Sequence, residues 1–400
     1  MTLQGPGKEF LRLMGFSHNP FLSPVAEKEL SRLETLETFL QYFTESRLQV
    51  GRRIASTLNL DQLRSNRNVI ILGSPGAGKT TLRLALEAEY RKTIEKTLVV
   101  TLELNQPEDE SAPKKDQYDQ LAEALAIDLF VQVCEKYNPI TDHPTPTQIA
   151  TLGSQVIYAR LSRVIEKMLD EPADGMPFGI AKHWSMIGKR AIWYIPPADE
   201  LLKLLQNLLL TTESTPRPSG KSALLAGIKA SRSWGFQQII ILVDTIDQLD
   251  PIPEHMFNLI RPLIVEVDFW NKKNVHFKYF LLPEVAPYIK NLLVTAGLRD
   301  RFDNAKIVWD QESLSQLISR RFEAAESRHT RLGALASEEA ADRLDHFLLV
   351  GAKSPREVIE RINFFLREIP RLKNTPLTDF RLEDVDRIEQ KEHRRQQKFP

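Results

Sequence analysis

Residues 73–80 read Gly-Ser-Pro-Gly-Ala-Gly-Lys-Thr and lie between an apolar run at 69–72 and a helical pattern at 80–92. The glycines of the spacing G-x-x-x-x-G-K-[ST] let the backbone curl, so that successive N–H groups point at one phosphate chain. Lys79 would then reach the terminal phosphates, Thr80 would offer a hydroxyl to Mg²⁺, and the helix N-terminus would add its positive dipole end. The segment therefore predicts a nucleotide phosphate site. We assign cofactor contacts to Gly73, Ser74, Pro75, Gly76, Ala77, Gly78, Lys79, Thr80 and Thr81.

A second segment offers a carboxylate for the metal ion. Residues 239–243 are five consecutive aliphatic residues, typical of a parallel strand buried on both faces, and Asp244 follows them. At the carboxyl end of a central strand, Asp244 would face the crevice where open α/β sheets bind ligands. We therefore predict that Asp244 and Thr80 hold Mg²⁺. A cap on the next helix is the alternative role of Asp244.

The residue after Asp244 is Thr245. Many ATPases with such a loop and strand carry a glutamate at this position, which orients the attacking water. Asp247 can supply that carboxylate instead if the backbone becomes helical there and brings positions i and i+3 onto one face. A plain charge at a helix N-terminus is the alternative for Asp247. The sequence thus favours nucleotide binding over hydrolysis.

The loop and the segment 244–251 together resemble the D-x-h-D pattern of the AAA+ branch that includes origin-recognition, STAND and KAP-type ATPases. Three further segments resemble this branch in the same order along the chain. They are Gly-Phe-Ser-His-Asn-Pro-Phe at 15–21, Gly-Leu-Arg-Asp-Arg-Phe at 297–302 and the Ser-Pro-Arg of 354–356.

The resemblance implies a role for each of these segments. The lead-in, with Asn19 and Phe21, would pack against the adenine. Arg299 and Arg301 would act as an arginine finger on a neighbour's nucleotide, which implies an oligomer. Arg356 would be the sensor arginine of a lid helix. For each arginine, a solvated or salt-bridged surface role is the alternative.

Length and spacing predict several domains. Residues 106–237 separate the expected strand 97–104 from the strand at 239–243, far more than a crossover needs, and they read as helices at 117–137, 146–169 and 198–212. The expected fold is a three-layer α/β P-loop core with a parallel sheet, a helical insertion and a helical lid. The expected domains are 1–66, a lead-in and helical segment; 67–310, the core with its insertion at 106–237; 311–372, the lid; and 373–400, a charged helix and tail.

The amino-acid composition limits the partners and the cellular location that we expect for the chain. The 53 basic and 53 acidic residues give a formal charge of zero, which removes the general argument for attraction to nucleic acid. The single cysteine, Cys134, excludes a disulfide framework and suggests a reducing cytosol. The first 16 residues lack the apolar region of a signal peptide, and no apolar run is long enough for a bilayer. We expect a cytoplasmic protein without a membrane anchor.

These observations predict a switch that binds ATP and Mg²⁺, with ATPase activity, acting through a homo-oligomer or a partner protein. The resemblance implies either a regulator in a prokaryotic defence or signalling system, such as antiviral defence, or an ATPase acting on DNA in replication, transposition or repair. The first is favoured because the chain has a large insertion and no evident DNA-reading module. A nucleotide-binding scaffold without hydrolysis is the third possibility. It is suggested by Thr245 and by Pro283, which follows the expected strand 277–282 at a position where this branch usually has a polar residue.

Overall fold

The computed structural model describes residues 7–23, 47–50, 53–54, 63–104, 116–171, 179–187, 198–210, 218–245, 252–327, 329–371 and 380–398. Asp247 therefore lies outside the described residues. The chain divides into two compact units. The sheet unit comprises Leu60–Leu72 and Arg83–Ala305, and the helical unit comprises Met1–Asn59, Gly73–Leu82 and Lys306–Pro400.

The elements follow in chain order. The strands are β1 (Arg47–Val50), β2 (Arg53–Ile54), β3 (Asn68–Leu72), β4 (Thr97–Leu104), β5 (Gln238–Thr245), β6 (Val275–Leu281) and β7 (Phe302–Val308). The helices are α1 (Lys8–Leu13), α2 (Lys79–Arg91), α3 (Gln117–Lys136), α4 (Pro146–Tyr158), α5 (Ser162–Asp170), α6 (Ile180–Trp184), α7 (Ala198–Leu210), α8 (Gly220–Ser233), α9 (Pro253–Val265), α10 (Val267–Lys272), α11 (Ala286–Thr295), α12 (Gln311–Ala324), α13 (Glu338–Leu349), α14 (Pro355–Glu368) and α15 (Leu382–Lys398).

The sheet unit is built on parallel strands. Five strands run parallel in the order β7-β3-β6-β5-β4. Residues 239–243 of β5 and all residues of β6 are buried, as expected for strands covered on both faces. The predicted α/β class with a parallel sheet is confirmed. Leu72 of β3 and Asp244 of β5 both lie at the carboxyl ends of their strands, with β6 between those strands.

Strand β4 lies at the edge of this sheet, and helix α3 covers the open edge. The Gln132 side chain donates to the Val99 carbonyl (2.6 Å) and accepts from the Val99 N–H (3.1 Å). Asp128 accepts from the Thr101 N–H (2.9 Å). Both side chains are buried. The two side chains thus pair the N–H and C=O of Val99 and the N–H of Thr101, as a neighbouring strand would.

The predicted insertion is helical in its described residues. Helix α3 packs against β4 and α8, and its Leu125 and Phe130 share one hydrophobic core with strand residues such as Ile241. The helix predicted over 146–169 is wrong as a single element. It is two helices, α4 and α5, because the chain turns at Arg160, whose φ is 58°.

The helical unit has its own core. Phe10 and Phe16 from the N-terminal segment pack with Phe322 of α12 and Phe365 of α14. The helices predicted after Trp309 are present. The helical segment expected within residues 1–66, from about Pro24 to Thr57, is wrong at 47–50 and 53–54, where β1 and β2 pair antiparallel. The alternation of Leu48 and Val50 with polar residues favours a strand, and it outweighs the helical pattern read across this stretch.

The division into units differs from the predicted domains. Residues Gly73–Leu82 belong with the helical unit, whereas the prediction placed them in the core. The boundaries at 66, 310 and 372 stay predictions. Within the described ranges, no helix is long and apolar enough to cross a membrane.

Candidate functional site

The loop 73–80 connects the end of β3 to the start of α2. Gly76 and Gly78 have φ values of 76° and 88°, in the left-handed region that residues with a side chain rarely adopt. The Ala77 N–H donates to the Ser74 carbonyl (3.0 Å) and closes a turn within the loop. The glycines at these positions therefore permit the tight curl that the sequence predicts.

Lys79 is held inside this curl. Its Nζ donates to the carbonyls of Gly73 (2.8 Å) and Ser74 (3.3 Å), and the residue is only 5% exposed. A Cβ on Gly73 would lie 3.0 Å from Cγ of Lys79. The ammonium is thus a buried positive charge surrounded by loop backbone, and Gly73 leaves room for its stem.

Arg356 lies against the same loop. It stands in the first turn of α14, where Ser354 caps the helix by accepting from the Glu357 N–H (3.3 Å). A Cβ on Gly76 would lie 2.7 Å from Cβ and 3.3 Å from Nε of Arg356. The Nε atom is buried and has no hydrogen-bond partner within the described part of the chain. A buried N–H without an acceptor is costly, so this atom is suited to an anion beside the loop.

Trp309 is a contact that the sequence analysis missed. Its indole Nε1–H donates to the carbonyl of Ala77 (2.9 Å), while the ring packs against the core of the helical unit. The sequence places Trp309 only at the end of a strand. Nothing in its neighbourhood signals a bond to a residue 232 positions earlier.

The lead-in segment is fixed by buried polar contacts. Asn19 accepts from the Phe21 N–H (2.9 Å), and Asn363 donates to the Phe21 carbonyl (2.5 Å). The Phe21 ring is fully buried, with its centroid 5.9 Å from that of Phe322. Both predicted adenine contacts therefore help to pack the helical core. Their nucleotide role stays a prediction.

In the sheet unit, Asp244 is buried and paired with an arginine. Arg83 Nε donates to Asp244 Oδ2 (3.0 Å), and Arg83 Nη1 lies 3.3 Å from Glu87 Oε2. Arg83 is 4% and Asp244 6% exposed. Burial acts to lower the pKa of Arg83, but Asp244, Glu87 and Glu103 outweigh it and raise the pKa above its ordinary value. Arg83 therefore stays charged beside Asp244.

This ion pair is the start of a buried network that reaches helix α3. Arg91 Nε lies 3.6 Å from Glu87 Oε1, and Arg91 Nη1 donates to Glu135. Thr101 donates to Glu87 (3.3 Å) from β4. Among the described residues, no three acidic, histidine or cysteine side chains are grouped as a complete metal site. This is compatible with Mg²⁺, which commonly takes one or two protein ligands and completes its shell with water and phosphate.

The two finger candidates lie in a short 3₁₀ turn directly before β7. Both are exposed, and Arg301 Nε forms an ion pair with Asp268 Oδ1 (2.7 Å) in which both side chains are 52% exposed. Exposure leaves the pair open to solvent and to other chains, since a surface ion pair is weak.

Comparison with protein-family models finds no family that matches this chain, and comparison with curated proteins finds no match either. The resemblance to the AAA+ branch stays a prediction.

Proposed function

We propose that the chain binds ATP at the loop 73–80 and acts as a nucleotide-dependent switch. The observation that carries the proposal is the buried Nε of Arg356, which has no hydrogen-bond partner among the described residues and lies beside the left-handed Gly76 of that loop. Buried Lys79 and half-buried Arg356, whose Nε is itself buried, both lie against one glycine-rich turn at the start of a helix. Such a site attracts a multiply charged phosphate chain. The core would then be a three-layer P-loop fold.

Mg²⁺ is part of the proposal, and the residues fit it. The carboxylates of Asp244 and Glu87 both lie against Arg83, and Arg91 also lies against Glu87. Oxygen ligands are those that Mg²⁺ prefers. The proposed ligands are those expected from the sequence, Asp244 in the sheet unit and the Thr80 hydroxyl in the helical unit, and the ion would neutralise charge on the phosphates. Arg83 competes for Asp244 and would give up part of its contact when the ion binds.

Hydrolysis requires further residues. Asp247 would orient water, and Arg299 and Arg301 would reach the phosphates of a second copy, which requires a homo-oligomer. The alternative is a scaffold that binds nucleotide without cleaving it, and the Arg83–Asp244 pair favours it because that carboxylate is already engaged. We propose a cytoplasmic regulator of a partner protein in prokaryotic defence or signalling. An ATPase acting on DNA stays the less favoured role, since the formal charge is zero.

The test is titration of the full chain with ATP in a calorimeter. We expect Lys79→Ala and Arg356→Ala each to weaken binding about tenfold or more, as a charge-assisted contact contributes roughly 1.5 to 3 kcal/mol. Arg320→Ala is the control, because Arg320 is exposed on α12 and, within the described part of the chain, pairs with Glu323 of its own helix (3.1 Å). Unchanged affinity in both loop variants would overturn the proposed site.

Phosphate release then separates the switch from the scaffold. We expect Asp244→Asn to abolish Mg²⁺-dependent turnover if the chain is an ATPase. Wild-type protein that binds ATP tightly but releases no phosphate, alone or mixed with host lysate or DNA, would favour the scaffold.

A further inference from the structure

The bond between Trp309 and Ala77 fixes a peptide plane in the loop. The indole Nε1–H donates to the Ala77 carbonyl at 2.9 Å, and both residues belong to the helical unit. No cis peptide occurs among the described residues. In a planar trans peptide the C=O and the following N–H point in opposite directions. Holding the Ala77 oxygen toward Trp309 therefore turns the Gly78 N–H away from Trp309.

Gly78 has open space on the side where a side chain would stand. Its φ of 88° is in the left-handed region, and a Cβ built on it would meet no atom within 4 Å among the described residues. A run of backbone N–H groups aimed at one point is how such loops hold phosphate. The direction of the Gly78 N–H therefore affects the affinity for an anion. That direction depends on the bond from Trp309 as well as on the loop itself.

Trp309 itself is firmly placed. Its ring packs against the helical core, and the next residue, Asp310, caps α12 by accepting from the Ser313 N–H (2.9 Å). On its other side, the neighbouring Ile307 approaches Gly73, where an added Cβ would lie 3.2 Å from Ile307 Cδ1. The end of β7 therefore contacts both the first and the fifth residue of the loop.

We propose that Trp309 is a positioning residue for phosphate binding, orienting the Gly78 N–H toward the phosphate chain through its bond to the Ala77 carbonyl. This inference rests on the proposed function. It adds a determinant outside the loop and outside every residue assigned from the sequence.

The experiment compares Trp309→Phe with wild type in the full chain, using ATP and inorganic tripolyphosphate as ligands. The variant keeps an aromatic ring but removes the N–H. We expect affinity for both ligands to fall about 3- to 10-fold, the loss typical of one neutral hydrogen bond. Trp234→Phe is the matched control, since the Trp234 Nε1–H donates to the Gln148 carbonyl (3.1 Å) in the insertion. We expect no change in affinity for the control.

A spectroscopic signature distinguishes positioning from general structural support. With selective ¹⁵N-glycine labelling, tripolyphosphate should shift the Gly78 amide resonance strongly in wild type and weakly in Trp309→Phe. The resonance is assigned by its loss in Gly78→Ser. A variant that is merely less stable would show the full shift at saturating ligand.

The outcomes separate this inference from the proposed function. Wild type that binds neither ligand would overturn the proposed function. Wild type that binds, with equal affinity and an equal Gly78 shift in Trp309→Phe, would overturn the inference alone. If Trp309→Phe does not fold, the indole N–H resonances of the wild-type protein provide the test. If saturating tripolyphosphate shifts none of them, the inference is overturned as well.

Discussion

At the scale of single residues, Arg83 determines the state of the candidate metal ligand. Its guanidinium contacts Asp244 and Glu87, all three side chains being buried. A buried carboxylate requires a partner, and a buried pair that loses one member is costly. Arg83 therefore both stabilises Asp244 as a carboxylate and competes with any cation for it.

We predict that Arg83→Met lowers the free energy of unfolding by about 3 to 5 kcal/mol, because Asp244 and Glu87 stay buried after they lose this partner. Urea unfolding followed by circular dichroism measures the change. The control is Arg320→Met, whose exposed pair with Glu323 should contribute no more than about 1 kcal/mol. If both substitutions lower the free energy of unfolding by the same small amount, water rather than Arg83 solvates Asp244.

At the scale of elements, the insertion is part of the sheet's stability. Helix α3 satisfies the open edge of β4 through Gln132 and Asp128, and it joins α2 through Arg91 and Glu135. An uncovered strand edge exposes unpaired N–H and C=O groups and invites pairing with other chains. The insertion cannot be a loosely attached accessory, since its first helix closes the edge.

We predict that Gln132→Leu destabilises the fold by about 2 to 5 kcal/mol, because the N–H and C=O of Val99 lose their partner.

Gln132→Glu keeps the acceptor but presents a second oxygen to the Val99 carbonyl. Burial raises the pKa of a carboxyl group, so the folded variant would bind an extra proton. Its free energy of unfolding should then increase, relative to wild type, as the pH falls toward 5. Equal pH profiles for wild type and Gln132→Glu would contradict the bidentate contact.

At the scale of the whole molecule, a buried lysine makes stability depend on pH. Lys278 of β6 is fully buried, and its Nζ donates to the carbonyls of Ser65 (2.8 Å) and Arg67 (2.6 Å). Burial lowers the pKa of Lys278 to about 7, although Asp303 acts in the opposite direction. In the unfolded chain a lysine has a pKa of about 10.4.

We predict that the free energy of unfolding rises between pH 7 and about pH 10 on account of Lys278. In that interval the unfolded chain binds the proton that the folded chain has lost, and stability increases with pH wherever the unfolded state holds more protons. Lys278→Met should flatten the rise, measured from urea midpoints at pH 7 and pH 9. Lys306→Met, at an exposed position of β7, should keep the wild-type slope. Equal slopes in all three proteins would show that Lys278 stays protonated.

The features that could be predicted from the sequence are those that depend on residues close together in the chain. The curl at Gly76 and Gly78 follows from glycine spacing, and β5 follows from an uninterrupted aliphatic run. The contacts of Asp244 could not be predicted in this way, because Arg83 lies 161 residues away and belongs to an ordinary helical pattern. At Leu48 and Val50, a short alternation is a weaker signal than the surrounding helical pattern, although it is the correct one.

The cover on β4 also bears on the order in which the chain is made. Helix α3 follows β4 directly, whereas β5, the partner on the other side of β4, begins only at Gln238. A ribosome adds roughly 5 to 20 residues per second, so β4 and α3 leave it roughly 5 to 20 seconds before β5. During this interval Gln132 and Asp128 can already occupy one side of the strand. The insertion thus supplies the nascent strand with a partner from its own chain, and it removes Val99 and the Thr101 N–H from the backbone groups through which two growing chains could join.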